Sequence, residues 1–151
     1  MKNIDYKLYL NMSPKELKQL QQKKGWVLSA IGWLVYGALR LCGLKPIDYY
    51  GICPCFELGT NWGGVSFGWF FVCCKNASEC IRNHEVGHCI QNAAVGGLTM
   101  LAYSIGSVVR YWWRKITKAK TPYDSWFFEG DATRFGTEYV NNIKEKETTN
   151  E

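Results

Sequence analysis

The chain holds only two histidines, and they stand four residues apart in His84-Glu85-Val86-Gly87-His88. No other feature constrains the fold as tightly. On an α-helix, side chains four apart lie one turn above each other on one face. Two imidazoles so placed can hold one Zn²⁺ at about 2.0–2.1 Å each. Glu85 lies about 100° round the same helix, where its carboxylate can take a proton from water beside the metal. The plainer alternative is an amphipathic helix with two satisfied histidines. The surroundings weigh against it. Asn76, with Glu79 three residues on, has the arrangement of a capping box opening a helix. The apolar stretch 64–72 before it, beginning at Gly64, reads as a strand.

A zinc site that does chemistry needs a third protein ligand and an open position. Ala94 stands where the longer metzincin pattern has a third His, so the third ligand must be a carboxylate or a thiolate. Glu129, on a second predicted helix, is the candidate. From about residue 65 to 136 the chain resembles the small gluzincins, single-domain relatives of the Glu-ligated zinc peptidases. Their pattern is H-E-x-x-H, a hydrophobic connection, then E-x-x-A-D on a helix. Here the second part reads Glu129-Gly130-Asp131-Ala132-Thr133. The Glu and the Ala match, and Thr133 replaces the final Asp. In the family that Asp orients a zinc-bound His; Thr133 can hydrogen-bond only as a neutral group. The resemblance implies zinc-dependent hydrolysis of a peptide or protein substrate. His84, His88 and Glu129 would be the ligands and Glu85 the general base. Asp131 is a rival third ligand. Tyr123, just before the Glu129 helix, is the expected oxyanion donor, with Tyr139 and Arg134 as rivals.

The formal charge is +5. Its two basic clusters, 15–24 and 110–120, flank apolar stretches, which fits a membrane surface or a solvated face better than a nucleic acid. Residues 26–39, opening on Trp26 and closing on Leu39, carry no charge. They fall short of the roughly 20 residues a spanning helix needs, so a buried helix and a membrane-associated one both remain open. A second apolar run covers 98–113. Spanning a bilayer alone, it would leave His88 and Glu129 on opposite sides. A shared zinc therefore demands a break at Gly96-Gly97 and a return helix that brings Arg114 near His84. The apolar sequence starts only after a long polar lead, so no secretory signal is expected. The expected location is the cytoplasm or the cytoplasmic side of a membrane. The seven cysteines are an odd number, and reduced thiols are expected. A second metal site from Cys53, Cys55, Cys73 and Cys74 is the lesser reading, buried thiols the plainer one.

A chain of 151 residues is expected to form one domain, 1–151. The parts are an N-terminal helix over about 14–42, opened by Ser13-Pro14-Lys15-Glu16, a catalytic core over about 62–143 and a frayed polar tail over about 144–151. Asp124 or Ser125 is expected to cap the last helix. The fold class is α+β and mostly helical. A small sheet puts an edge strand before the H-E-x-x-H helix, and a return helix and the Glu129 helix follow. That edge strand could pair with an extended peptide. The competing functional class is a non-catalytic, membrane-associated or interaction protein with a structural zinc. Such a site needs four protein ligands. Cys89 or Asp131 would supply the fourth, although Cys89 points about 100° away from His88.

Overall fold

The computed structural model describes residues 6–120, 122 and 125–149. Helix α1 is a single turn, Lys7–Leu10. A capping box then opens α2, Pro14–Lys24: Glu16 N donates to Ser13 Oγ, and Ser13 N donates back to Glu16 Oε2 at 2.8 Å. The expected continuous helix breaks at Gly25, and α3 runs Trp26–Leu41. The break has a packing cause. A Cβ on Gly25 would lie 2.2 Å from Asn92 Nδ2, so glycine lets the chain pass without displacing the buried Asn92 side chain. Gly43, with φ 82°, then ends α3, as left-handed glycine does after helices.

Four strands follow: β1 Ile47–Tyr49, β2 Cys53–Glu57, β3 Gly64–Ser66 and β4 Phe71–Cys73, in the order β1-β2-β4-β3. β1 and β2 pair antiparallel through a turn whose central residues, Tyr50 and Gly51, both have positive φ, the conformation that matches strand twist in tight hairpins. β2 and β4 are parallel. The single strand expected over 64–72 is instead a hairpin, β3 and β4 antiparallel. Gly68, with φ 85°, reverses the chain, and Phe67 N donates to Phe70 O at 2.8 Å. β3 is thus a sheet edge.

Helix α4, Glu79–Val95, carries both histidines. Its N-cap is Ser78, which accepts from Ile81 N, rather than Asn76. Asn76 pairs with Asn61 across the neighbouring turn. α4 ends at Gly96 (φ 87°), and α5, Gly97–Thr117, sets off in a new direction, as the Gly-Gly signal predicts. The last helix, α6, runs Phe127–Thr149. It begins two residues past Ser125, whose hydroxyl donates to Pro122 O; Asp124 and Tyr123 lie outside the described residues. The expected frayed tail is helical through Thr149. Lys144 reaches back to Glu79 of α4 in an ion pair, and the Thr148 and Thr149 hydroxyls bond to carbonyls one turn earlier.

The fold is α+β and mostly helical. Its main core packs α4 (Val86, Cys89, Ile90) against α6 (Tyr139, Val140) and the sheet. Two glycines set how close α4 and α6 come. A Cβ on Gly87 would fall 1.9 Å from Ala132 O, and one on Gly136 would fall 1.8 Å from Asn83 O. The backbones therefore touch, and the side chain of Glu129 reaches α4. Among the described residues, no helix is long and apolar enough to cross a membrane.

Candidate metal centre

His84 and His88 project from one face of α4, their rings 4.6 Å apart. Glu129, in the first turns of α6, is buried opposite them. Its Oε2 lies 3.2 Å from His84 Nε2 and 3.3 Å from His88 Nε2. One ligand atom from each of the three residues lies within 4.8 Å of the others, the only such His/Cys/Asp/Glu group among the described residues. The rival Asp131 is not part of it: half-buried, it pairs with Arg134 at 2.8 Å. Cys89 is also elsewhere, its Sγ 3.3 Å from Ser66 Oγ. Cys53, Cys55, Cys73 and Cys74 form no such group; Cys55 Sγ and Cys73 Sγ lie 3.5 Å apart as free thiols.

The hydrogen bonds behind the rings assign their tautomers. The Thr133 hydroxyl donates to Glu129 O at 3.2 Å, so it accepts from His84 Nδ1 at 2.8 Å. Gln91 Nε2 donates to Phe128 O, so Gln91 Oε1 accepts from His88 Nδ1 at 2.7 Å. Each Nδ1 hydrogen is thereby committed outward, which leaves Nε2 of each ring to face Glu129, as a donor where it carries a proton and as a lone pair for a metal where it does not. Both Glu129 oxygens are buried, with the two imidazoles and the Ser107 hydroxyl of α5 beside them. Burial alone would raise this carboxyl, but the imidazoles beside it outweigh burial and hold it well below the usual carboxylate range. The spot thus favours positive charge. Protons on both rings would set two like charges against each other, whereas one divalent cation satisfies all three groups. Two imidazole nitrogens and a carboxylate, with outer partners fixing the rings, form a group that could hold a metal ion.

Glu85 is buried on the sheet side of α4, and its Oε2 meets no hydrogen-bond partner. Burial pushes its carboxyl up to about 8; His84 pulls the other way, and Glu129 adds to the rise. Gly64 of β3 makes the room, since a Cβ there would lie 2.7 Å from Glu85 Oε1. All four residues line a cleft of about 1140 Å³. Its other walls are the β3 edge, Leu28 and Ile31 of α3, and α5 with Ser107, Tyr111 and Arg114. Arg114 and His84 therefore share one cavity, as the return helix requires.

Of the oxyanion candidates, Tyr123 lies outside the described residues. Tyr139 is fully buried and donates to Met12 O. Arg134 is exposed and pairs with Asp131. Neither of these two lines the cleft. The sequence reading missed Gln91, although its position three after His88 puts it on the same helix face. It also missed Gly64 and Ser107, which no short-range pattern marks. No known protein family, curated protein or solved structure matches the chain.

Proposed function

We propose that the chain is a zinc-dependent peptidase of gluzincin type, acting on a peptide or protein substrate. The observation that carries this reading is the convergence of His84 Nε2, His88 Nε2 and Glu129 Oε2, with a second carboxyl, Glu85, buried in the same cleft. His84, His88 and Glu129 would hold the metal. When bound, zinc polarises a carbonyl and brings the pKa of water beside it to about 7. Thr133 and Gln91 keep both imidazoles turned toward the cleft. Glu85, buried with one oxygen free of hydrogen bonds, would be held ionised by the charge of a bound zinc, accept the proton of the attacking water and pass it to the leaving amine. The edge of β3 offers unpaired backbone groups to an extended peptide, aligning a scissile bond along α4. Three protein ligands rather than four favour catalysis over a structural clip.

The test separates metal from chemistry. The purified chain is expected to carry about one zinc, as one three-ligand site implies. His84→Ala and His88→Ala should lose it. Glu85→Gln should keep zinc yet fail to cleave an unstructured peptide library that the unaltered chain cleaves. Full zinc in the histidine variants, or equal turnover by Glu85→Gln, would overturn the reading.

A further inference from the structure

One side of α5 walls the cleft; the other faces outward and is apolar. Leu98, Ile105, Val109 and Ile116 recur at the spacing of one helix face, and each is between 58% and 77% exposed. α3 starts beside it, since a Cβ on Gly97 would lie 2.9 Å from Val27 N. It carries exposed apolar residues of its own, Trp26, Trp33, Leu34 and Leu41, between 55% and 91% exposed. Monomeric soluble proteins rarely leave such apolar surface uncovered.

We propose that the outer face of α5 docks on an anionic lipid surface. The charge pattern selects that occupant. Neither 25–47 nor 97–120 contains an Asp or a Glu. Lys23 and Lys24 precede Trp26, and α5 runs into Arg114, Lys115, Lys118 and Lys120. A second copy seated on this face would set cation against cation, whereas anionic headgroups complement them. Four tryptophans, Trp26, Trp33, Trp112 and Trp113, are more than half exposed on these two helices, and tryptophan favours the level of the headgroups. No described helix is fit to cross a bilayer. An apolar stripe with tryptophans and a cationic end, too polar to insert, is the composition of a helix lying in the interface plane. Trp112 and Lys115 also line the cleft, so the docked face borders the candidate centre.

The full chain is incubated with vesicles of phosphatidylcholine alone or mixed with phosphatidylglycerol, and bound protein is measured by co-sedimentation and tryptophan emission. Binding with a blue shift is expected on the mixed vesicles, falling as salt rises, with weak binding to phosphatidylcholine. Lys118→Gln with Lys120→Gln should weaken binding to mixed vesicles about 25-fold, about fivefold for each cation removed. Ile105→Ser with Val109→Ser should weaken it at least about tenfold. Circular dichroism verifies that each variant is folded; if the apolar pair disturbs folding, the lysine pair alone carries the test. Failure to bind either vesicle, equal affinity for both, or folded variants that bind undiminished would overturn the proposal. So would a dimer that the apolar substitutions dissolve while vesicle binding stays absent.

Discussion

Thr133 stands where the resembled motif has Asp, and its hydroxyl makes two bonds. It donates to Glu129 O one turn back and accepts from His84 Nδ1. The donation fixes the direction of the acceptance, so a neutral group still imposes a tautomer. What it does not supply is the negative charge that would make the imidazole more basic. Removing such outer partners typically costs 10–100-fold in metal affinity. Thr133→Val, which keeps the shape and deletes the bond, is therefore expected to release zinc about 10–100 times more readily in competition with a chromogenic chelator. Thr133→Asp should regain the affinity or exceed it. Unchanged zinc retention in the valine variant would mean that packing alone orients His84. At this scale the sequence was informative where chemistry is carried by type and spacing. His84, His88 and the facing of Thr133 follow from helical geometry, whereas Glu129 stands out from Asp131 only through the resembled motif. Gln91 was as accessible by the same geometry, but glutamine announces no role until its other end is seen bonded to Phe128 O.

Between elements, what matters is the distance from α4 to α6. Gly87 lies inside the H-E-x-x-H motif at a position the motif leaves free, and Gly136 lies two turns beyond Glu129. Each abuts a carbonyl of the opposing helix. Gly87→Ala or Gly136→Ala would force the helices apart, because backbone cannot move aside as a flexible side chain can. Overpacking of this kind costs about 1–3 kcal/mol, or about 2–12 °C in melting temperature for a chain of this size. The same displacement would draw Glu129 away from both imidazoles, so zinc affinity should fall along with stability. An alanine variant melting normally with full zinc would refute the close-packing account. The misread elements share one cause. Gly25 breaks the N-terminal helix because Asn92 fills the space its Cβ would need, and Gly68 folds the expected strand into a hairpin. Both glycines were visible, but the contacts that give them their meaning lie far away in the chain. The local stop signal at Gly96 needed no such partner and was read correctly.

Across the whole molecule, the return of α5 was legible by elimination: a shared site for His88 and Glu129 forbids a lone membrane crossing by the intervening segment. The mixed sheet and the contribution of α1 were not, since they depend on long-range burial of tyrosines. Tyr6 stacks on Phe135 of α6 at 4.2 Å, and Tyr49 of β1 donates to Asn83 Oδ1 at 2.8 Å. These two rings tie distant segments to the helix pair and give the molecule an alkaline limit. Burial pushes both phenols up to about 12, against about 10 in an unfolded chain. The sign follows from linkage. Below about pH 10 both states hold the protons and stability is fully present. Above it the unfolded chain releases them first, so stability falls with rising pH until the folded phenols titrate near 12. Thermal melts are therefore expected to decline between about pH 10 and 12. Tyr49→Phe should melt lower at pH 8, because Asn83 loses its donor at a cost of about 1–3 kcal/mol. Its further decline above pH 10 should nevertheless be shallower than that of the unaltered chain, since one of the titrating groups is gone. Parallel declines in the two proteins would mean that Tyr49 does not contribute to the alkaline limit.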